Sequence, residues 1–522
     1  MTSIAQADDT PVVVIGSGAG GGSVTRALCD KGIKVVCLEA GPRIEQEQFV
    51  QDELAAFAQL SWNDKRLATG DWPPATNGPD MPAWTVKAVG GSTVHWAGLA
   101  YRAQEHELRA RTTYGAIDGA TLADWPLEYR ELAHYYDLAE ARMGVTGTHG
   151  IALHPPNNNY IVLYNGAKRI GYTSISNAGL AINSAARDGR PGCIQLGFCV
   201  QGCKIGAKWS TSYTEIPRAE ASGHLDLRPG CMALQIEHNG DGRVTGVVYA
   251  DADGVRHKQS ARAVCIAGNA IETPRLLLNS ASPRFPAGLA NGSGEVGRNY
   301  MHHVGALAFA EFERPVNMHR GISVPGAVFD ERGHDPKRGF AGGYLLEAAS
   351  IGPASLALLL DPNGWGRDYA GILERYAHMA GILLNGEDMP RASNRVYLHD
   401  SEKDRHGLPI PVVHVDDHAN DIAMRKHFFQ QAEALFDAVG ARAYHPAATG
   451  AATHNMGTCR MSADPDEGVV NSFGQAHEAP NLFVSDGSVF PTATAENPTL
   501  TIVALALRQA DYIASRMAAG AL

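Results

Sequence analysis

The chain opens with an apolar run, Pro11–Ile15, followed by a glycine-rich turn from Gly16 to Gly22, a stretch of helical spacing through Asp30, and a second apolar run from Lys34 to Leu38. Short apolar runs bracketing a glycine turn and a helical stretch predict a strand–helix–strand unit. Between Ile44 and Pro82 the periodicity fades while Trp, Pro and Asn accumulate, which predicts a long excursion over a cofactor rather than a core element. Helical spacing returns from Glu128 to Met143, and the Pro- and Asn-rich stretch His154 to Tyr160 reads as a loop. From His224 to Val264 short alternating runs are separated by Asn239-Gly-Asp-Gly242 and Asp251-Ala-Asp-Gly254, the pattern of antiparallel hairpins. Residues 310–445 hold further alternating and helix-like segments and are expected to form a second lobe. There is no internal repeat.

At 522 residues with 44% hydrophobic composition, the chain is long enough for two domains. A net charge of −11 gives no basic footprint for nucleic acid or an anionic membrane surface, so small uncharged or cationic partners are expected. Met1 to Thr10 is polar and lacks the basic and apolar regions of an export signal. The apolar stretch Leu500–Leu507 ends at Arg508 and Asp511, short of the ~20 residues a span requires, so no direct membrane insertion is expected. Of eight cysteines, Cys29 and Cys37 fall in a helix and a strand as small core residues, which fits a reducing compartment. The location read from these features is cytoplasmic; export bound to a signal-bearing partner, leading to the periplasm, is the alternative.

The pattern Gly16-x-Gly18-x-x-Gly21 follows a strand and opens a helix, the context in which a glycine pattern becomes a dinucleotide site. Gly16 permits the tight turn, Gly18 lets the backbone approach a pyrophosphate, and Gly21 allows close helix–strand packing. The helix N-terminus offers unpaired N–H groups to the anion. Glu39, at the end of the next strand, is placed to accept from a ribose hydroxyl. This motif alone permits either FAD or NAD.

Several separated segments narrow the choice: Gly16 to Arg43 with its Glu39-Ala-Gly-Pro ending, Ala88-Val-Gly-Gly-Ser-Thr-Val-His-Trp96, Ala267 to Ser280, His454-Asn-Met-Gly-Thr-Cys-Arg-Met461, and Asn481 to Leu507. Together they resemble the glucose–methanol–choline (GMC) oxidoreductases. The likeness is strongest to the flavoprotein subunits of bacterial glucose, gluconate and fructose dehydrogenases, with pyranose oxidases further off. The resemblance implies an α/β protein, α+β overall, with a discontinuous Rossmann-like FAD-binding domain (1–105, 190–309 and 446–522). It also implies a connecting segment (106–189) and a substrate domain on an antiparallel sheet (310–445). It implies FAD, contacted by Gly91, His95, Trp96, Asp486, Gly487 and Pro498 as well as by the glycine turn. The expected substrate is a small alcohol, sugar, glycoside or polyol.

His454 and Asn497 match the family's catalytic pair. Oxidising an alcohol requires a base for the O–H proton while the carbon-bound hydrogen leaves as hydride, and a neutral histidine, with an ordinary pKa of ~6.5, suits the first task. Asn497 would orient the same hydroxyl. Asn497-Pro498-Thr499 also reads as a helix start, with Asn as N-cap and Pro at the first position. His302, His303 and His477 carry no motif weight. The loop holding His95 resembles the one that carries covalent flavin in pyranose oxidases, so covalent and non-covalent FAD both stay open.

Cys193, Cys199 and Cys203 crowd one glycine-containing segment. In the glucose dehydrogenase subunits this spacing holds a three-iron cluster, so the resemblance implies a [3Fe-4S] site and an electron-accepting partner or small subunit. Ile194 and Lys204 depart from that pattern, and zinc, a redox thiol pair or buried thiols remain alternatives. The favoured reading is an FAD-dependent dehydrogenase with an acceptor other than NAD. A peroxide-forming oxidase of the same fold, a lyase using FAD structurally and an NAD-dependent dehydrogenase are the rivals.

Overall fold

A computed structural model describes residues 2–57, 61–62, 68–69, 84–447 and 453–522. Most of the 44–82 excursion lies outside the described residues. The first apolar runs form the middle of a five-stranded parallel sheet, ordered Leu482–Val484, Ala263–Ile266, Val12–Ile15, Val35–Glu39, Leu225–Pro229. All four residues of Val12–Ile15 are buried, as in a strand covered on both faces. The helices Ala19–Cys29 and Thr499–Ala518 pack together on this sheet. Cys29 and Cys37 are buried in the helix and strand anticipated for them.

Within 224–264 the expected antiparallel meander is formed by Met232–His238, Val244–Ala250 and Arg256–Ser260, whereas Leu225–Pro229 and Ala263–Ile266 at its two ends join the parallel sheet instead. Its turns are built locally. Asn239 Oδ1 accepts from the N–H groups of Asp241 and Arg243, and Asp251 Oδ1 from those of Asp253 and Val255.

A six-stranded antiparallel sheet forms the second layer, ordered Ala443–Ala447, Val304–Glu311, Met379–Gly386, Tyr344–Ala348, Gly326–Val328, Ile175–Asn177. It starts at Val304 and takes its edge strand from Ile175–Asn177, so segments outside 310–445 complete it. One face carries Tyr344, Leu346, Ile382 and Leu384 into a core closed by the helices Asn158–Arg169 and Ala419–Ala438. Both helices start on side-chain caps: Asn157 accepts from Tyr160 N, and His418 accepts from Asn420 N while Asp421 reaches back to it. The opposite face has Gly305, Leu307, Leu383, Asn385, Glu347 and Ala349 at its surface, because side chains alternate along each strand and the register sets Leu345 against Asn385 and Glu347 against Leu383. That face floors the large cavity. No helix among the described residues is long and apolar enough to cross a membrane.

Candidate active site

A cavity of about 840 Å³ runs from the glycine turn to the floor of the six-stranded sheet. At its first end lie Gly16, Gly18 and Glu39, and at its far end His303, His454, Asn385, Glu347 and Asn497. Gly91, His95, Trp96, Asp486, Gly487 and Pro498 line the wall between.

The first end has the geometry an anionic dinucleotide needs. Helix Ala19–Cys29 starts at Gly18 without a side-chain cap, so its leading N–H groups are free for an anion. Gly16 has φ +94°, and a Cβ there would lie 2.4 Å from Ala267 O. A Cβ on Gly91 would approach Gly18 Cα to 2.9 Å, so two glycine loops face each other. Gly21 sits behind the wall, where a Cβ would strike Gly16 O at 2.0 Å. Gly20, which the motif does not mark, is as tightly held: its Cβ would meet Ser485 O.

Glu39 is 6% exposed and accepts from Ser17 N, Ser17 Oγ and Gly41 N, with burial pushing its pKa up. Ser17 Oγ in turn accepts from Gly90 N at 3.0 Å, which ties the two glycine loops together. Asp486 accepts from Asn269 N, Thr273 Oγ1, Ser488 N and Ser488 Oγ. Its carboxylate therefore braces the loop, and what that loop presents to the cavity beside it is the backbone of Gly487.

His95 is buried, and its Nδ1 lies 3.1 Å from the Val200 carbonyl. A carbonyl only accepts, so Nδ1 carries the proton and Nε2 the lone pair. Nε2 is buried without a partner among the described residues. Burial and the Lys208 ammonium lower the His95 pKa to about 4. The ring is therefore a neutral imidazole with a free lone pair on the cavity wall.

At the far end His454 Nδ1 lies 2.9 Å from His303 Nδ1, with the rings at 69°. His303 Nδ1 is also 2.6 Å from Asn385 Oδ1, whose amide Nδ2 donates to Ala495 O. Burial, and then the neighbouring His303, hold the His454 pKa well below the ordinary value. Burial lowers that of His303 to about 4. Sequence reading passed over His303. The partner relation spans 151 residues, and nothing local singles out one histidine among twenty-one.

Asn497 departs from its expected role as a helix cap. The last helix begins at Thr499 after Pro498, with no side-chain cap, and Asn497 Oδ1 is buried without a hydrogen-bond partner among the described residues. The amide lines the cavity instead of turning back on the helix. Three buried carboxyls, Glu107, Glu387 and Glu496, lie against this loop, and Glu107 Oε1 accepts from Ala495 N at 2.7 Å.

The cysteine segment contributes Gly197, Val200 and Gln201 to the same wall, while its three cysteines stand behind the lining. Cys193, Cys199 and Cys203 are free thiols, partly buried, that pack on one apolar cluster with Leu99, Ile182 and Ala207. Cys193 Sγ accepts from Gln195 N and Cys203 Sγ from Lys208 N, both at 3.4 Å. The buried Lys208 ammonium donates to the carbonyls of Cys199, Trp96 and Val94 and so links the segment to the His95 loop. The three sulfurs do not all approach within 4.8 Å of one another, the closeness expected around a single ion such as zinc.

Comparison with known proteins agrees with this architecture. The profile of the GMC oxidoreductases matches residues 13–305 and 390–506. A 2-methyl-1,2-propanediol dehydrogenase from Mycolicibacterium austroafricanum is 34% identical over 98% of this chain and 96% of its own. The fructose dehydrogenase large subunit of Gluconobacter japonicus is 31% identical, with 98% of each chain covered. A formate oxidase variant from Aspergillus oryzae has the same fold, with a TM-score of 0.71 at 14% identity over 98% of this chain and 99% of that one.

Proposed function

Because this chain belongs to the GMC oxidoreductases, flavoenzymes that act on CH–OH donors, we propose that it oxidises a sugar, glycoside or small polyol with His454 as general base and Asn497 as the group that orients the reacting hydroxyl. The observation that carries this reading is the convergence, on one cavity that begins at the glycine turn, of a neutral, paired His454 and an Asn497 amide whose acceptor is unpartnered among the described residues. Bound FAD supplies the hydride acceptor. Gly16, Gly18, Glu39, Gly91, His95, Trp96, Gly487 and Pro498 would hold it, with Gly21 and Asp486 shaping the backbone around it. Residues 1–105, 190–309 and 446–522 would then form the FAD lobe and 310–445 most of the substrate lobe, joined through 106–189.

His454 takes the hydroxyl proton as the carbon–hydrogen bond breaks, and general-base assistance of this kind contributes roughly 10²–10⁴-fold. Asn497 fixes the same hydroxyl so that its carbon faces the cofactor. Anaerobic mixing with a polyol panel tests the assignment. Bleaching of the flavin absorbance is the expected result; a spectrum that no alcohol changes would leave a lyase or a structural flavin.

The lone pair on His95 Nε2 supports a covalent bond to FAD. Acid precipitation should then leave the yellow colour in the pellet, and a colourless pellet with a yellow supernatant would show that the bond is absent.

For the cysteines we favour a [3Fe-4S] cluster that relays electrons to an accepting partner or small subunit. Its support is the shared apolar patch and the N–H donors to two sulfurs. Anaerobically purified protein should contain about three iron atoms per flavin, with acid-labile sulfide. Flavin without iron would make the three thiols structural and direct attention to peroxide formation.

A further inference from the structure

We propose that Glu347 recognises a second hydroxyl of the substrate, next to the one being oxidised, so that the site is built for polyols rather than simple alcohols. The inference rests on the alcohol-oxidising reading above and names what that site selects.

Glu347 sits in Tyr344–Ala348, a strand otherwise made of Tyr, Leu and Ala with every residue buried. The period of two places it on the cavity face, across from Leu383 and diagonal to Asn385. Diagonal neighbours on an antiparallel pair stand ~7–8 Å apart at their Cα atoms. The sheet floor thus carries two polar side chains at a separation that adjacent hydroxyls of one small molecule can bridge. Their states differ. Asn385 is satisfied, by His303 on one side and Ala495 O on the other. Glu347 is fully buried, and among the described residues no hydrogen bond of good geometry reaches either carboxyl oxygen.

A buried carboxyl without partners is costly, and such groups persist where a ligand or water completes them. Two polar groups beside Glu347 are themselves incompletely bonded: among the described residues, Asn497 Oδ1 and Tyr101 Oη are buried without partners. The Asn497 amide only partly opposes the burial that pushes Glu347 up to about 8. At neutral pH the group is therefore mainly a carboxylic acid, with one O–H donor and acceptor capacity left over. A hydroxyl, which both gives and accepts a hydrogen bond, matches that pattern; an ammonium group, which only gives, matches it less well. The remainder of the floor, Leu307, Leu383 and Ala349, is apolar, so Glu347 is the polar feature there that distinguishes a diol from a mono-alcohol of the same shape. The sequence did hold a signal: a single acid inside a buried Tyr-Leu-Leu-Glu-Ala strand.

The test measures kcat/KM for the best polyol of the bleaching panel and for its analogue lacking the neighbouring hydroxyl, using holoenzyme. The first pair is 2-methyl-1,2-propanediol and 2-methyl-1-propanol. Glu347→Leu should lose about 10- to 100-fold on the diol while changing the mono-alcohol by less than about 3-fold, because only the diol loses a hydrogen bond. Glu347→Gln, which keeps a donor and an acceptor, should retain most of the diol preference and guards against a folding artefact if the leucine variant fails to accumulate. An unchanged diol-to-mono-alcohol ratio in Glu347→Leu would overturn the proposal, as would equal losses on both substrates in Glu347→Gln at full FAD content. Wild-type protein whose flavin no alcohol bleaches would instead refute the underlying reaction.

Discussion

Replacing His454 with alanine should slow the anaerobic reduction of bound flavin by substrate about 10²–10⁴-fold, the contribution a positioned general base makes, while FAD content stays that of the wild type. The separation is expected because His454 stands at the floor end of the cavity and the glycine turn at the other. One structural feature sharpens the choice of variants. His454 has φ +61°, a left-handed conformation uncommon for residues other than Gly, Asn and Asp. An alanine there could disturb the loop as well as remove the base. His454→Asn tolerates that backbone and offers no base, so it should be as slow as His454→Ala. If the asparagine variant instead reduces its flavin at the wild-type rate, His454 is not the base; if it loses flavin, the loop rather than the chemistry has been probed.

What could be read from the sequence was what local chemistry dictates. The Gly16–Gly21 turn is legible because each glycine answers a steric demand within a few residues, and the two Asx turns of the meander are legible for the same reason. Ile175–Asn177 was not legible as a strand: three residues are too short to display a period of two, and the pairing with Gly326–Val328 is supplied by the sheet. Asn497 shows local and tertiary preference in competition. Asn-Pro-Thr before an apolar run is a sound capping sequence, yet the amide lines the cavity and the helix starts uncapped. A position that forgoes a favourable local hydrogen bond is where a demand of function is expected.

His303 supplies the second large effect, and it acts through pH. The two Nδ1 atoms lie 2.9 Å apart, so a charge on one ring disfavours a charge on the other. Burial and this pairing keep His454 neutral well below the ordinary imidazole range. A base works in its unprotonated form, so a lowered pKa preserves activity as pH falls: kcat/KM of the wild type should stay level from pH ~8 down through ~6.5, an imidazole's ordinary midpoint, and decline only below it. Removing the partner reverses the sign. In His303→Leu the pKa of His454 should rise, the acid limb should move up toward neutrality, and His454 should lose the contact that fixes its ring. A loss of at least about 10-fold at pH 7 is expected from misorientation together with partial protonation. Misorientation alone would lower the profile without shifting it, so the displacement of the acid limb is what tests the pairing. A wild-type profile already falling with an apparent pKa at or above ~6.5 would show that His454 is not held neutral in this way.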